Sequence, residues 1–86
     1  MIVNPMENEL MEELAKEIAK SRNGYGILKE IEWFLEGHYT KCRFIAVLIG
    51  NVNYKPEYYK LAEKLYDREL LLKLYKMILE FMHNKS

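Results

Sequence analysis

Few residues in this 86-residue chain could carry out nucleophilic chemistry, since it holds two serines, one threonine, one cysteine and two histidines. A serine triad would need Ser21 or Ser86, and neither lies in a motif that activates a nucleophile. His38 and Cys42 have the spacing of two side chains on one helical face, where an imidazole could lower the thiol pKa. A cysteine beside an apolar run is more often a small core residue. We therefore expect a protein that is not an enzyme.

Metal and cofactor patterns are equally scarce in the sequence. His38, Cys42 and the distant His83 are too few soft ligands for a zinc site, which needs three or four. The sequence contains no Cys-x-x-Cys, His-Glu-x-x-His, calcium-loop or phosphate-loop motif. The turn at residues 24–26 lacks the preceding strand and the third glycine of a dinucleotide site. We expect no metal, no cofactor and no small-molecule substrate.

Charge is spread unevenly, which raises the question of nucleic-acid binding. Residues 1–36 hold eight acidic and four basic side chains, a net charge of −4, and residues 37–86 hold five and nine, a net charge of +4. Five bases interleaved with tyrosines could contact phosphates and stack on nucleobases: Lys60, Lys64, Arg68, Lys73 and Lys76. Four of the five, all except Arg68, have an acid three or four positions away that could neutralise them within a helix: Glu63, Asp67, Glu69 and Glu80. Because the whole chain is neutral, we rank a nucleic-acid-associated regulator second.

Length and composition indicate a single folded domain spanning residues 1–86. The chain is 50% apolar and 13% aromatic with few Gly and Pro, unlike disordered or low-complexity segments, and its length suffices for one core. One cysteine and no secretory-signal pattern lead us to expect a cytoplasmic protein. The longest apolar run, residues 44–49, is too short to cross a bilayer, so we expect no membrane association.

Residue usage offers one hypothesis about the source. The chain has twelve Glu, one Asp and no Gln, a bias typical of thermophilic proteins. Helix propensity and genome composition shift the same counts, so a thermophilic origin is one of two open explanations.

Two amphipathic helices are predicted in the first 36 residues. Asn4 and Pro5 are a typical N-cap and first helical residue. Apolar residues then recur every four positions: Leu10, Leu14 and Ile18. The second helix is expected after the turn at residues 24–26 and before Gly37, and its apolar residues fit one helical face: Ile27, Leu28, Ile31, Phe34 and Leu35.

The apolar segment at residues 42–49 is ambiguous between a buried helix and a buried strand. Its contiguous β-branched residues favour a strand, but only two short stretches elsewhere could pair with one. Thr40 and Gly50 are suited to cap a helix at either end. We predict a central buried helix, in which Val47→Asp would abolish folding, and keep the strand as the alternative.

The C-terminal stretch is long enough to form one helix or two. An unbroken helix over residues 57–83 would be about 40 Å long, whereas a globule of this size is about 30 Å across. Asp67 can cap a new helix, so we predict a break there. The alternative is a continuous helix whose last turns overhang the domain.

These elements predict an all-α fold, a single compact bundle of four to five short helices. Ten of the thirteen residues 70–82 are apolar, more than one buried stripe uses. We therefore predict a non-enzymatic module that binds itself or another protein through five candidate interface residues: Leu71, Leu72, Tyr75, Leu79 and Met82. The alternative explanation of the surplus is that the last helix packs on two sides within one domain.

Overall fold

The computed structural model describes residues 5–38, the separate positions 43, 46, 48 and 50, and residues 55–84. Residues 5–38 and 55–84 form four helices, and no described residue is in a strand: α1 (Pro5–Lys20), α2 (Gly24–Leu35), α3 (Pro56–Lys64) and α4 (Arg68–His83). The Cα radius of gyration is 11.8 Å, as expected for a compact chain of this length. The prediction of a small all-α bundle is confirmed.

Helix α1 is the centre of this arrangement, because it contacts α2, α3 and α4. Its predicted apolar stripe faces the core: Leu14 and Ile18 are fully buried and Leu10 packs against them half-buried. The helix begins at Pro5 as predicted, while the N-cap predicted at Asn4 lies outside the described residues. No helix in the described part of the chain is long and apolar enough to span a membrane.

Helix α2 begins at Gly24, inside the stretch that the sequence predicted to be a turn. This start brings α2 close to α1, since a Cβ at Gly24 would lie 2.8 Å from the carbonyl oxygen of Ile18 in α1. Only a glycine lets α2 start this near to the end of α1. At the other end Gly37 has a φ of +87°, the left-handed conformation that ends helices, so the predicted stop is confirmed.

Gly24→Ala is expected to lower the free energy of unfolding by about 1–3 kcal/mol, because the backbone of α1 must move to admit the new methyl group. Gly26→Ala is the matched control, since its Cβ meets only the side chain of Asn23, which can rotate. Urea unfolding followed by circular dichroism measures both variants. Equal losses at the two positions would contradict the close approach at Gly24.

The predicted break in the C-terminal stretch is confirmed. Helix α3 begins at Pro56 and ends at Lys64, and Asp67 then caps α4. The Asp67 carboxylate accepts hydrogen bonds from the backbone N–H of Glu69 at 2.9 Å and of Leu70 at 3.2 Å. These bonds satisfy two of the free amides at the start of α4. The alternative of one continuous helix is therefore wrong.

Most of the predicted central segment, residues 42–49, lies outside the described residues, and so does the Val47→Asp prediction. Four positions in and beside it are described. Arg43, Ala46, Leu48 and Gly50 have a helical backbone, and Leu48 is fully buried in the core cluster. At these positions the helical prediction is confirmed, but the predicted burial holds for Leu48 and not for Ala46, which is exposed.

Candidate protein-interaction surface

The apolar residues of α4 form two neighbouring rows with the same spacing. We call the first the core row: Leu71, Leu74, Ile78 and Phe81. We call the second the lateral row: Leu72, Tyr75, Leu79 and Met82. The lateral row is displaced by one residue, which rotates it by about 100° around the helix. Each row alternates steps of three and four residues, the spacing of a helix that packs along another helix.

The core row packs inside the chain. Leu71, Leu74 and Ile78 are fully buried, and Phe81 is half-buried with the Lys16 ammonium of α1 at 5.4 Å from its ring centroid. Leu71 therefore corrects one of the sequence assignments, because it belongs to the chain's own core and offers no surface to a partner. The sequence could not separate Leu71 from its neighbour because both continue the same apolar run.

One flank of the lateral row lies beside α2. At its start the Arg68 Nη1 donates to the backbone carbonyl of Leu35, the last residue of α2, at 2.7 Å. At its end the Met82 side chain lies against Gly24, the first residue of α2. The two helices therefore run antiparallel. Packing on both α1 and α2 accounts for part of the apolar surplus of α4, as the alternative explanation expected.

Tyr75 fixes the middle of the same contact. Its hydroxyl donates to Oε2 of Glu32 in α2 at 2.8 Å. This hydrogen bond raises the pKa of the Tyr75 phenol, because ionisation would set a negative oxygen against the carboxylate, and partial burial raises it further. The ring is thus held in place with one edge toward solvent.

The other flank of the lateral row remains open. Leu72 is 41% exposed, and Leu79 and Met82 are half-buried. Exposed polar residues border this flank on α4: Glu69, Lys76 and His83. The arrangement is an apolar strip with a polar edge, which resembles the composition of protein interfaces.

The five bases proposed for nucleic-acid contacts are divided between α3 and α4, and two of them are engaged within the molecule. Lys64 pairs with Glu7 of α1, and Arg68 caps the end of α2. Lys60, Lys73 and Lys76 are exposed. The predicted partner of Lys64 is wrong, because the Asp67 carboxylate serves as the helix cap.

The other intrahelical ion pairs suggested by spacing do not form. None of them occurs within 4 Å among the described residues. They are Lys60 with Glu63, Glu69 with Lys73, and Lys76 with Glu80. Exposed pairs gain at most about 1 kcal/mol, so these side chains remain solvated.

Among the described residues, two shallow grooves border α1, and neither of these encloses a ligand. The larger, about 220 Å³, lies between α1 and α3 and is below the usual size of a ligand pocket. It has the apolar side chains of Leu10 and Leu61 with acids and bases of both signs around them. The smaller, about 180 Å³, lies between α1 and α4 beside Lys16 and Phe81.

Of the residues considered for chemistry, the structure describes Ser21, His38 and His83, each at the end of a different helix. The Ser21 hydroxyl donates to the Ile18 carbonyl at 2.9 Å at the end of α1. His38 lies 3.8 Å from the Glu36 carboxylate, and His83 ends α4, while Cys42 and Ser86 lie outside the described residues. In the part of the chain that is described, no three potential metal ligands cluster.

Sequence reasoning missed a polar cluster around Tyr58, which it assigned simply to an apolar stripe. The ring is fully buried, and Lys55 lies 5.4 Å from its centroid while bonding Glu13 at 3.3 Å. Burial raises the pKa of the Tyr58 phenol well above its usual value, and the neighbouring Glu17 carboxylate raises it further. The signals present in the sequence were a tyrosine on the apolar stripe of α3 and the many glutamates of α1.

Compared with known proteins, the chain matches no protein-family model, no curated protein and no solved structure.

Proposed function

We propose that the protein is a small non-enzymatic helical module that associates with a second copy of itself through the lateral row of α4. The observation that supports this most directly is the exposure of Leu72. This leucine stands in a row with the spacing of a helix-packing surface, yet it is 41% exposed. Covering it removes apolar surface from water, at about 25 cal/mol per Å².

The neighbours of Leu72 suit the same role. Leu79 and Met82 continue the row and expose part of their side chains. Methionine adapts its shape to a facing surface, since its side chain is unbranched and flexible. Tyr75 adds an aromatic ring that is already held by Glu32, so little side-chain entropy is lost on contact.

Self-association is tested by sedimentation or light scattering at concentrations from about 10 to 500 μM, the range in which a small interface associates. The mass is expected to rise above the 10.4 kDa of one chain. Leu72→Glu is expected to return the protein to a monomer with unchanged helical circular dichroism, because it places a charge in the apolar strip.

The matched control is Tyr59→Glu on α3. Tyr59 is 48% exposed, so the substitution makes the same charge change at another exposed apolar residue. It is expected to leave the mass unchanged. The proposal would be contradicted if the wild-type protein stayed monomeric at all these concentrations. It would also be contradicted if both variants lost association to the same extent.

Salt separates self-association from the nucleic-acid alternative. Association through apolar surface is expected to persist or strengthen in sulfate. Binding through the exposed bases would instead give oligonucleotide affinity that falls steeply as salt rises. Salt-sensitive oligonucleotide binding that is lost on Lys60→Glu and Lys73→Glu would favour the regulator.

A further inference from the structure

We infer that the Asn23–Gly24 sequence is a deamidation site, which the packed first turn of α2 keeps closed in the folded chain. Of the six asparagines in the sequence, only Asn23 precedes a glycine. A glycine has no Cβ, so it leaves the backbone nitrogen that follows the asparagine accessible to the asparagine side chain. Asn23 is exposed in the turn between α1 and α2. The site is independent of the surface on α4.

The reaction needs no reagent other than water. The Gly24 nitrogen loses its proton and attacks Cγ of Asn23, and the bond from Cγ to Nδ2 breaks as Nδ2 takes up a proton and leaves as ammonia. Water then opens the resulting five-membered imide at one of its two carbonyl carbons. One opening gives aspartate. The other gives isoaspartate, in which the main chain passes through the side chain and is one carbon atom longer.

The backbone of Asn23 does not place the Gly24 nitrogen for this attack. Asn23 has a ψ of 26°, which turns that nitrogen to the side of the Cα–C bond away from the Cβ. Ring closure therefore requires a rotation about this bond. The rotation would swing the Asn23 carbonyl oxygen away from the backbone N–H of Ile27, whose hydrogen bond it accepts at 2.9 Å in the first turn of α2.

The position of Gly24 is fixed by contacts with three other parts of the chain. Its N–H donates to the carbonyl of Ser21 at 3.4 Å, so the proton that must leave is engaged. A Cβ at Gly24 would lie 2.8 Å from the Ile18 carbonyl oxygen, and the Met82 side chain of α4 lies against the same residue. Deamidation therefore requires the first turn of α2 to move away from α1 and α4.

A movement of this kind is a local opening, which costs less free energy than unfolding of the whole chain. Imide formation is slow compared with the closing of one helical turn. Under that condition the reaction rate follows the equilibrium population of the open form. The deamidation rate of Asn23 is thus expected to measure how often the start of α2 opens.

The two products differ in their ability to close again. Aspartate keeps the length of the main chain, and it suits the N-cap position of α2 as well as asparagine does. Isoaspartate adds a carbon atom to the main chain directly before Gly24, where the Ile18 carbonyl leaves no room. The isoaspartate form is therefore expected to keep the first turn of α2 open.

Mass spectrometry of the tryptic peptide 23–29, which contains no other asparagine, measures the reaction during incubation in mildly alkaline buffer. In guanidinium chloride Asn23 is expected to react faster than Asn8 and Asn84, because these precede residues with side chains. In the folded protein the Asn23 rate is expected to be at least about tenfold lower than in the denaturant.

Met82→Ala tests what keeps the site closed. It removes a side chain that lies against Gly24, so it is expected to raise the rate in the folded protein about fivefold to tenfold. Met77→Ala is the matched control, since Met77 is another half-buried methionine of α4 and is not among the nearest neighbours of Gly24. It is expected to change the rate by less than about twofold.

Each result supports or overturns a stated part of this inference. If Asn23 reacts no faster than Asn8 in the denaturant, it is not a deamidation site. If it reacts equally fast in the folded protein, or if both methionine variants accelerate it equally, the packed turn does not control it. The two products are separated by chromatography and unfolded in urea. A midpoint of the isoaspartate form as high as that of Asn23→Asp would contradict the lasting opening of α2.

Discussion

Leu71→Asp is expected to leave the chain unfolded, whereas Leu72→Asp is expected to fold with close to the wild-type free energy of unfolding. The two residues are adjacent and chemically identical. Leu71 is fully buried in the core and Leu72 is 41% exposed. An unpaired carboxylate in the core costs several kcal/mol, which is comparable to the roughly 5–15 kcal/mol that holds a domain together.

Circular dichroism and urea unfolding of both variants measure this difference, at protein concentrations where the chain is monomeric. Leu71→Ala is a milder check at the core position, with an expected loss of about 2–5 kcal/mol from the cavity that it leaves. A cooperative transition of Leu71→Asp near the wild-type midpoint would show that the core row is not where the structure places it.

Tyr58→Ala is expected to lower the free energy of unfolding by about 3–5 kcal/mol, because it empties a fully buried aromatic position between α3 and α1. Tyr58→Phe is expected to be neutral or stabilising. The Glu17 carboxylate lies near the buried hydroxyl, but no hydrogen bond of normal geometry reaches that hydroxyl, so its removal relieves a desolvation cost and leaves the ring packing intact. A large loss for Tyr58→Phe would instead show that the hydroxyl is well satisfied.

Tyr58 is also expected to make the folded state less stable at alkaline pH. Its phenol has a pKa near 10 when unfolded and a higher one when folded, mainly because of burial. Folding therefore favours the neutral phenol, and this contribution is complete below about pH 10 and is lost as pH rises toward the folded-state pKa. Tyr75 acts in the same direction through its hydrogen bond to Glu32.

The free energy of unfolding is thus expected to fall above about pH 10, and Tyr58→Phe is expected to reduce that fall. Urea unfolding at a series of alkaline pH values measures both proteins. Tyr59→Phe, at an exposed tyrosine of the same helix, is the control and is expected to keep the wild-type profile. If the free energy of unfolding of Tyr58→Phe fell as steeply above about pH 10 as that of the wild type, groups other than Tyr58 would cause the loss of stability at alkaline pH.

The helix boundaries were predictable from the sequence where they depend on neighbours along the chain. Asp67 caps α4 through amides two and three residues ahead, Pro56 begins α3, and Gly37 adopts the left-handed conformation after α2. Such signals act over a few residues, so they hold whichever way the helices later pack. The all-α class and the core-facing stripe of α1 follow from the same local periodicity.

The start of α2 depended on contacts between distant parts of the chain. Gly24 begins the helix at a point where the Ile18 carbonyl and the Met82 side chain leave room only for a glycine. Lys64 pairs with Glu7, far away in sequence, in place of the acid three residues ahead. Neither feature has a signal in the local sequence, because both depend on which helices become neighbours in the fold.

The chemistry of α4 was therefore readable from the sequence, while the roles of its residues were decided by the tertiary structure. Composition alone showed an apolar surplus in residues 70–82, and spacing showed that it forms more than one stripe. Only the packing of α1 and α2 on either side of α4 places Leu71 in the core and leaves Leu72 exposed. One residue turns the helix by about 100°, so the direction from which neighbouring helices approach determines which leucine is buried.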